Sequence, residues 1–270
     1  MTVEPPPGPE DAFWRDYLTR GHPMERATRK FFIWLPAEPR CTVCAAPFGG
    51  IGGPVMRLIG KRPSDKSPKM CTSCYTFLAA HHGGAEVECT MLFADIRGST
   101  TLAEGMSSSA YHAVLDRFYR VASRVVFDHE GSVDKFVGDE LVAFFFPLLT
   151  GERHAAAGVE AARALLVATG HQDPAGPWVP VGAGVHTGLV WMGAIGEGTH
   201  IELTAVGDAV NVTARLASAA AAGQILVTHD AAVAAGLDPA HERRTLELKG
   251  KQATTDVVIV TVEAGRANAV

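Results

Sequence analysis

Apolar positions along the chain change their spacing several times, and each change predicts a different element. They recur every three or four residues in segments 107–128, 152–169 and 206–221, a spacing typical of helices. Shorter apolar runs predict strands, which fall at 87–93, 131–137, 141–146, 179–185, 189–192, 224–227, 244–248 and 255–262. Strands that alternate with helices over this length predict a sandwich of helices on a mainly antiparallel sheet.

The chain before residue 87 has a different texture. Residues 1–10 are rich in proline and acidic, whereas 11–38 carry aromatic and apolar groups at helical spacing. Four cysteines follow, then a short linker at 81–84. We therefore expect three parts: a tail and helix at 1–38, a cysteine module at 39–84, and a main domain at 85–265. The glycine-rich stretch 49–53 is interpreted as a flexible connector.

Composition narrows the class of protein. The 270 residues are 47% hydrophobic and 20% charged, which is ordinary for a globular protein. A net charge of −5 argues against a generally basic nucleic-acid binder. No apolar run reaches the roughly 18 residues that cross a bilayer, and the N-terminal stretch has no apolar signal core. The expectations are a cytoplasmic location, no membrane span and no nucleic-acid partner.

Two aspartates stand at the ends of neighbouring predicted strands. Asp95 follows the apolar run 91–93, and Asp139 lies at the turn between strands 131–137 and 141–146. An aspartate at a strand end is usually a turn former or a helix cap. Two such carboxylates are also the ligands that hard divalent cations prefer, and these cations bind nucleotide phosphates. The pair therefore indicates phosphoryl or nucleotidyl chemistry.

Three further residues support this interpretation. Lys135 lies four residues before Asp139 and can donate to a carboxylate or to a base, although a surface lysine is the simpler interpretation. Asn211 and Arg215 are four apart on a predicted helix, so they project from one face. An amide and a guanidinium there can orient a ribose and stabilise charge on a phosphate. A plain polar helix face is the alternative, but asparagine is a poor mid-helix residue.

In this order, these segments resemble the class III nucleotidyl cyclase family, the adenylate and guanylate cyclases. Segment 93–96 (FADI) is similar to the first metal motif, and 135–139 (KFVGD) is similar to the base-reading lysine plus the second metal aspartate. Segment 206–215 (VGDAVNVTAR) is similar to the transition-state motif. The resemblance covers about residues 87–263. It implies an α+β fold, a ferredoxin-like or palm-type antiparallel sheet sandwich.

The resemblance also implies roles for single residues. Asp95 and Asp139, helped by the Ile96 carbonyl, would hold two Mg²⁺ or Mn²⁺ ions. Asn211 would position the ribose, and Arg215 would stabilise charge at the α-phosphate. The reaction would convert a nucleoside triphosphate to its 3′,5′-cyclic monophosphate and pyrophosphate, for intracellular signalling. A less secure match makes Lys249 a phosphate contact.

The choice of base follows from hydrogen-bond chemistry. Lys135 only donates, which suits the acceptor N1 of adenine, and the hydroxyl of Thr204 accepts from the N6 amine. Guanylate cyclases of the family usually carry Glu and Cys at these places. ATP is therefore the predicted substrate. A guanylate cyclase, a diguanylate cyclase and a non-catalytic nucleotide-binding scaffold are the competing hypotheses.

The family builds its site between two cyclase domains, and this chain carries both residue sets. The resemblance therefore implies a head-to-tail homodimer with two equivalent sites. One departure stands out: Gly182 occupies a position where some relatives carry arginine. Either phosphate binding is weaker, or another cation such as Arg97 or Lys249 compensates.

Two CxxC pairs, separated by twenty-six residues, precede the main domain. Four thiolates suit tetrahedral Zn²⁺, which helps a small module to fold, so a zinc-ribbon-like or treble-clef site is predicted. An iron–sulfur cluster and a redox pair are the alternatives. Cys89 is expected to be a buried core thiol. The predicted ligands are Cys41, Cys44, Cys71 and Cys74.

Overall fold

The computed structural model describes residues 9–20, 23–35, 38–196, 201–247 and 254–262. No helix within these ranges is both long and apolar enough to span a bilayer. The helices are α1 Pro9–Thr19, α2 Pro23–Trp34, α3 Gly52–Leu58, α4 Thr72–Ala80, α5 Ser99–Glu104, α6 Ser108–Asp128, α7 Pro147–Thr150, α8 His154–Ala168, α9 Asp208–Ala219 and α10 His229–Ala234. The strands are β1 Gly83–Ile96, β2 Ser132–Val137, β3 Glu140–Phe145, β4 Val181–Ile195, β5 Glu202–Val206, β6 Gln224–Thr228, β7 Arg243–Leu246 and β8 Thr255–Thr261.

The chain divides into two compact units. The first contains the chain up to Glu88 together with Phe146–Gly151 and Leu189–Gly207. The second contains Cys89–Phe145, Glu152–Gly188 and the chain from Asp208 onward. Each of the long strands β1 and β4 is divided between the two units, with about half of its residues in each.

The second unit is built on the sheet, whose strand order is β2-β3-β1-β4-β6-β8-β7. The β1–β3, β2–β3, β6–β8 and β7–β8 pairs are antiparallel, and the β4–β6 pair is parallel. One sheet face packs on α6, α8 and α10 through a core that includes Leu92, Phe118 and Leu165. The other face receives α9, because Val212 and Leu216 cluster with Leu226 and Ile259. The predicted α+β sandwich is confirmed.

Two strand predictions were wrong. The segments 179–185 and 189–192 are one strand, β4, since His186, Thr187 and Gly188 continue it instead of turning. Thr187 is held in place there by the hydroxyl of Thr90, 2.7 Å away. Strand β5 was also missed, because it is only five residues long and its partner is the far end of β4. Long-range pairing decided both cases.

The first unit contains the cysteine module and the N-terminal helices. Trp14 of α1 is fully buried and meets the ring of Phe77 on α4 edge-on. The buried guanidinium of Arg40 donates to carbonyls at the end of α2, including that of Phe32 at 2.6 Å. Arg26 of α2 donates to the carbonyls of Leu148 and Pro147 at 2.6 and 2.9 Å. These contacts join α1 to α4 and α2 to α7.

The interpretation of residues 49–53 as a flexible connector was wrong. Gly52 and Gly53 are buried and begin helix α3. A Cβ on Gly49 would lie 2.4 Å from the Glu38 carbonyl oxygen, and one on Gly53 would lie 2.6 Å from the Phe48 oxygen. These glycines therefore allow close backbone packing, which a larger residue would prevent.

Candidate functional site

The two predicted metal aspartates lie at one end of the β1–β2–β3 group. Asp139 follows Gly138 in the two-residue turn of the β2–β3 hairpin, where Gly138 has the positive φ of 62° that such a turn favours. Asp95 is the last residue of β1 that pairs with β3, directly opposite Glu140. Opposite residues of an antiparallel pair have Cβ atoms about 5 Å apart. The hairpin therefore brings Asp139 and Glu140 to the end of β1.

The side chain of Asp95 projects from the α9 face of the sheet. Leu92, Ala94 and Ile96 belong to the core beneath α6 and α8. Because side chains alternate along a strand, Asp95 and its partner Glu140 face the other way. Burial and the charge of Asp139 raise the pKa of Glu140. The group is thus a half-buried acidic cluster that favours a bound cation.

Arg97 is the cation that meets this cluster. Its guanidinium pairs with the Asp95 carboxylate, and Nη1 donates to the Ser218 and Ala220 carbonyls at 2.9 and 3.3 Å. Burial lowers the pKa of Arg97, while the charges of Asp139 and Glu140 oppose that effect. From the sequence, Arg97 was expected only as a cation that could compensate for the glycine at position 182. No local pattern predicted that the end of α9 would hold this side chain against Asp95.

Tyr119 supports the hairpin turn. Its hydroxyl donates to the Gly138 carbonyl, and its ring stacks on Phe136 with centroids 3.9 Å apart. Both contacts join α6 to the segment that carries Asp139. This supporting role of Tyr119 was not predicted from the sequence, although the residue lies beside the apolar stripe of α6.

The predicted base-reading residues lie on different strands. Lys135 is half-buried on β2, after a bulge, with Nζ 3.4 Å from the Asp134 carboxylate. Thr204 is half-buried on β5 and lies opposite Gly193 of β4. Lys135 belongs to the second unit and Thr204 to the first. Their pairing on one base stays a prediction.

Asn211 and Arg215 share the outer face of α9. The inner face of that helix buries Val212, Thr213 and Leu216. Among the described residues, neither Asn211 nor Arg215 has a hydrogen bond or ion pair through its side chain. Asn211 also lies about 10 Å along the helix axis from Ser218, given a rise of about 1.5 Å per residue. Within the described part of the chain, neither side chain forms a hydrogen bond or an ion pair with Asp95 or Asp139.

Gly182 is buried on β4 and has no room for a larger residue. A Cβ there would lie 2.7 Å from the Ala220 carbonyl oxygen, the same oxygen that accepts from Arg97. The end of α9 thus leaves no space at this position for the arginine that some relatives carry. Lys249 lies outside the described residues, and Ile96 is buried at the end of β1.

The structure brings the four predicted cysteine ligands together. One Sγ atom from each lies within 4.8 Å of the others, and Cys44 and Cys71 are 3.7 Å apart. Cys71 and Cys74 come from the start of α4, whereas the first pair lies in a turn that ends at Ala45 with φ of 59°. Cys89 is fully buried elsewhere, as expected.

The four thiols of the cluster influence one another through hydrogen bonds. Hydrogen bonding from Cys41 lowers the pKa of Cys44 and that of Cys71, and the hydrogen bonds within the cluster raise the pKa of Cys41 and that of Cys74. The backbone N–H of Cys71 donates to the Cys41 sulfur at 3.2 Å. Lys61 places its ammonium 3.9 Å from the Cys44 sulfur, a contact that sequence reasoning missed. Burial lowers the pKa of Lys61, but the four sulfurs raise it by more. Four convergent sulfurs with N–H and ammonium partners fit a thiophilic metal ion.

Comparisons with known proteins identify the family of the sheet-containing domain. Residues 84–261 match the family described as the adenylate and guanylate cyclase catalytic domain. Adenylate cyclase 1 of Rhizobium meliloti is 33% identical over 146 residues, which is 51% of this chain and 22% of that protein. The adenylate cyclase of Anabaena cylindrica is 33% identical over 133 residues, covering 47% and 26%. The matched region spans only about a quarter of these two relatives.

Solved structures show the same fold. The guanylyl cyclase Cya2 superposes with a TM-score of 0.61 at 26% identity, covering 69% of this chain and 98% of that one. The adenylyl cyclase CyaB from P. aeruginosa gives 0.58 at 27% identity, covering 68% and 97%. The family match takes in both strand-end aspartates, the β2–β3 hairpin and helix α9. The chain therefore belongs to the class III adenylate and guanylate cyclase family, with its catalytic domain at residues 84–261.

Proposed function

We propose that the chain is an adenylate cyclase, which converts ATP to 3′,5′-cyclic AMP and pyrophosphate. The observation that carries this proposal is the acidic cluster at the end of β1, combined with the unpartnered Asn211 and Arg215 on α9. One set suits metal-bound phosphates, and the other suits a ribose and a charged phosphate. The similarity to one guanylyl and one adenylyl structure is nearly equal, so it does not decide the base.

The residues at the end of β1 fit a divalent cation. Carboxylate oxygens are the ligands of Mg²⁺ and Mn²⁺, and the guanidinium of Arg97 already occupies the position of a cation beside Asp95. Asp95 and Asp139 would hold two such ions, together with the Ile96 carbonyl. When bound, the ions would neutralise phosphate charge and lower the pKa of the ribose 3′-hydroxyl.

The remaining chemistry belongs to the side chains. The 3′-oxygen forms a bond to the α-phosphorus, its proton departs, and the bond to the pyrophosphate oxygen breaks. Asn211 would orient the ribose for this attack, and Arg215 would donate to the oxygens on which charge develops. A guanidinium suits this task because it stays charged and presents several donors in one plane.

The proposed preference for ATP depends on Lys135 and Thr204. The ammonium of Lys135 would donate to adenine N1, and the Thr204 hydroxyl would accept from N6. Guanine offers a donor at N1 and an acceptor at O6, so the donating Lys135 ammonium would face another donor at N1. The ion pair of Lys135 with Asp134 holds the ammonium on β2.

A homodimer is the proposed active state. Asn211 and Arg215 have no partner within the described chain, whereas the aspartates sit in a separate cluster on the sheet. A two-fold arrangement would place the Asn–Arg pair of one chain against the carboxylates of the other, with two equivalent sites. Each site therefore needs intact aspartates from one chain and an intact Asn211 and Arg215 from the other.

Zn²⁺ is the proposed metal of the cysteine cluster, with a structural role. The four sulfurs lie within 4.8 Å of one another, as tetrahedral ligands require. Metal analysis of the purified chain should give about one zinc per chain. Visible absorbance and bound iron would instead support an iron–sulfur cluster.

The test of function is a cyclase assay on the full chain with Mn²⁺ and either ATP or GTP. Cyclic AMP should form faster, and Asp95→Asn should reduce its rate by about 100-fold or more, because a metal ligand is lost. Asp116→Asn, an exposed change on α6, should leave the rate unaltered. Faster cyclic GMP formation would contradict the ATP proposal, and binding without turnover would favour the scaffold.

A further inference from the structure

Helix α3 presents its apolar side chains to solvent, the reverse of an ordinary surface helix. Ile51, Val55, Leu58 and Ile59 are 86, 53, 88 and 57% exposed. Val55 and Leu58 lie on α3, and Ile51 and Ile59 are the residues directly before and after it. We call these four residues the α3 ridge. Four large exposed aliphatic side chains on and next to one short helix form an unusually apolar surface.

The packing of the helix explains this reversal. Gly52 and Gly53 face inward, where Cβ atoms would lie 2.8 Å from Pro47 Cγ and 2.6 Å from the Phe48 oxygen. Met56 supplies the one buried side chain of the helix. Since glycines occupy the inner face, the ridge contributes little to the core of the cysteine module. Its apolar side chains need another explanation.

Basic residues lie within the ridge and after it in sequence, and most of them are exposed. Segment 57–69 contains five basic residues and one acidic residue, although the whole chain has a net charge of −5. Arg57 lies on α3 itself, and Arg62, Lys66 and Lys69 follow within the module. Lys61 is turned toward the cysteine sulfurs instead. The segment therefore combines protruding aliphatic groups with a local positive charge.

We propose that the α3 ridge docks the chain on an anionic lipid bilayer. Aliphatic side chains with flanking cations are the combination that binds such a surface, since insertion and attraction to acidic headgroups add. The inference is independent of the reaction that the cyclase domain catalyses. It makes the cysteine module a peripheral membrane anchor, whose metal would keep the ridge in place.

Charge argues against a second copy of the chain as the occupant. A two-fold contact through the ridge would bring the same patch together from both chains. Arg57, Arg62 and Lys66 of one copy would then meet the like charges of the other, with Asp65 as the one nearby acid in the segment. A bilayer with acidic headgroups complements these charges instead.

The experiment is cosedimentation of the full chain with phosphatidylcholine vesicles, with and without phosphatidylglycerol. The chain should bind the vesicles that contain phosphatidylglycerol, and added salt should weaken binding. Leu58→Ser combined with Ile59→Ser should reduce the partition constant by about tenfold or more. Arg62→Gln combined with Lys66→Gln should weaken binding and reduce its salt dependence.

Val233→Ser is the matched control, since Val233 is a 65% exposed aliphatic residue on α10. It should bind vesicles like the unaltered chain, and all variants should retain cyclase activity. Equal binding to both vesicle types, or unchanged binding of the ridge variant, would overturn the proposal. So would lipid-free self-association that the ridge variant abolishes, because the occupant would then be a second copy.

Discussion

The guanidinium of Arg97 pairs with the carboxylate of Asp95 while the end of α9 holds it from the other side. Asp95 and Arg97 lie two residues apart at the end of β1. The carbonyls of Ser218 and Ala220 nevertheless determine where the guanidinium lies. A cation bound to Asp95 competes with any metal ion for that carboxylate. An open pocket of about 530 Å³ adjoins Arg97, so its side chain has space to leave.

Arg97→Gln should therefore strengthen Mn²⁺ binding by about fivefold, because a partly exposed ion pair contributes up to about 1 kcal/mol. Titration calorimetry of the full chain measures this directly, without relying on turnover. Arg120→Gln is the control, since Arg120 pairs with Asp116 in an exposed contact on α6. Weaker binding in the Arg97 variant would mean that the arginine orients Asp95 for the metal instead.

A shared site predicts recovery of activity on mixing two inactive chains. Asp95→Ala and Asn211→Ala should each be inactive alone. Random pairing leaves half of the dimers with one intact site, so an equal mixture should show about one quarter of the unaltered activity. Mixing Asp95→Ala with Asp139→Ala is the control and should recover nothing. No recovery in the first mixture would count against a site formed by two chains.

The base-reading hypothesis predicts a change in substrate preference. Lys135→Glu combined with Thr204→Cys should reduce the ratio of ATP to GTP turnover by about tenfold or more, because the donor to adenine N1 is replaced by an acceptor. Steady-state rates with each triphosphate give the ratio. The single variant Lys135→Glu also loses the ion pair with Asp134. Its overall rate shows how much of the change is a general loss of activity instead of a change in base preference. An unaltered ratio in the double variant would rule out these residues as base readers.

Gly182 should tolerate no side chain. Gly182→Ala is expected to lower the free energy of unfolding by about 1–3 kcal/mol, because its Cβ would lie 2.7 Å from the Ala220 oxygen. Urea unfolding followed by circular dichroism measures this change. Gly105→Ala is the matched control, since its nearest neighbour would be 3.4 Å away and the site is exposed. Equal stability of the two variants would show that the end of α9 moves freely.

His171 should make the fold sensitive to acid. Its Nε2 accepts from the Val181 N–H at 3.2 Å, and burial lowers the pKa of the imidazole. A His with a lowered folded-state pKa binds fewer protons than in the unfolded chain. Its contribution is therefore intact above the unfolded value of 6.5 and is lost as pH falls below it.

Thermal unfolding at pH 7.5 and pH 5 measures this effect. The loss of stability on acidification should be smaller in His171→Gln, whose amide oxygen can accept the same N–H. His112→Gln, an exposed change on α6, should show the full loss. If the His171 variant also shows the full loss, other groups must govern the acid response.

Sequence by itself determined the local elements and the chemistry that depends on adjacent residues. The spacing of apolar residues indicated α6, α8 and α9 within two residues of their ends. Gly138 and Asp139 marked the hairpin turn, and the two CxxC pairs marked a four-sulfur cluster. These features are legible because helix periodicity, tight turns and ligand spacing operate within a few residues.

Only the tertiary structure decided which distant groups meet. The register of β1 on β3 placed Glu140 opposite Asp95, and the end of α9 brought Arg97 onto that carboxylate while closing the space at Gly182. The glycine-rich stretch 49–53 was expected to be flexible, yet the module packs closely against Gly49, Gly52 and Gly53, and the apolar ridge of α3 faces outward. Strand register and close packing join residues far apart in the chain, so no local pattern encodes them.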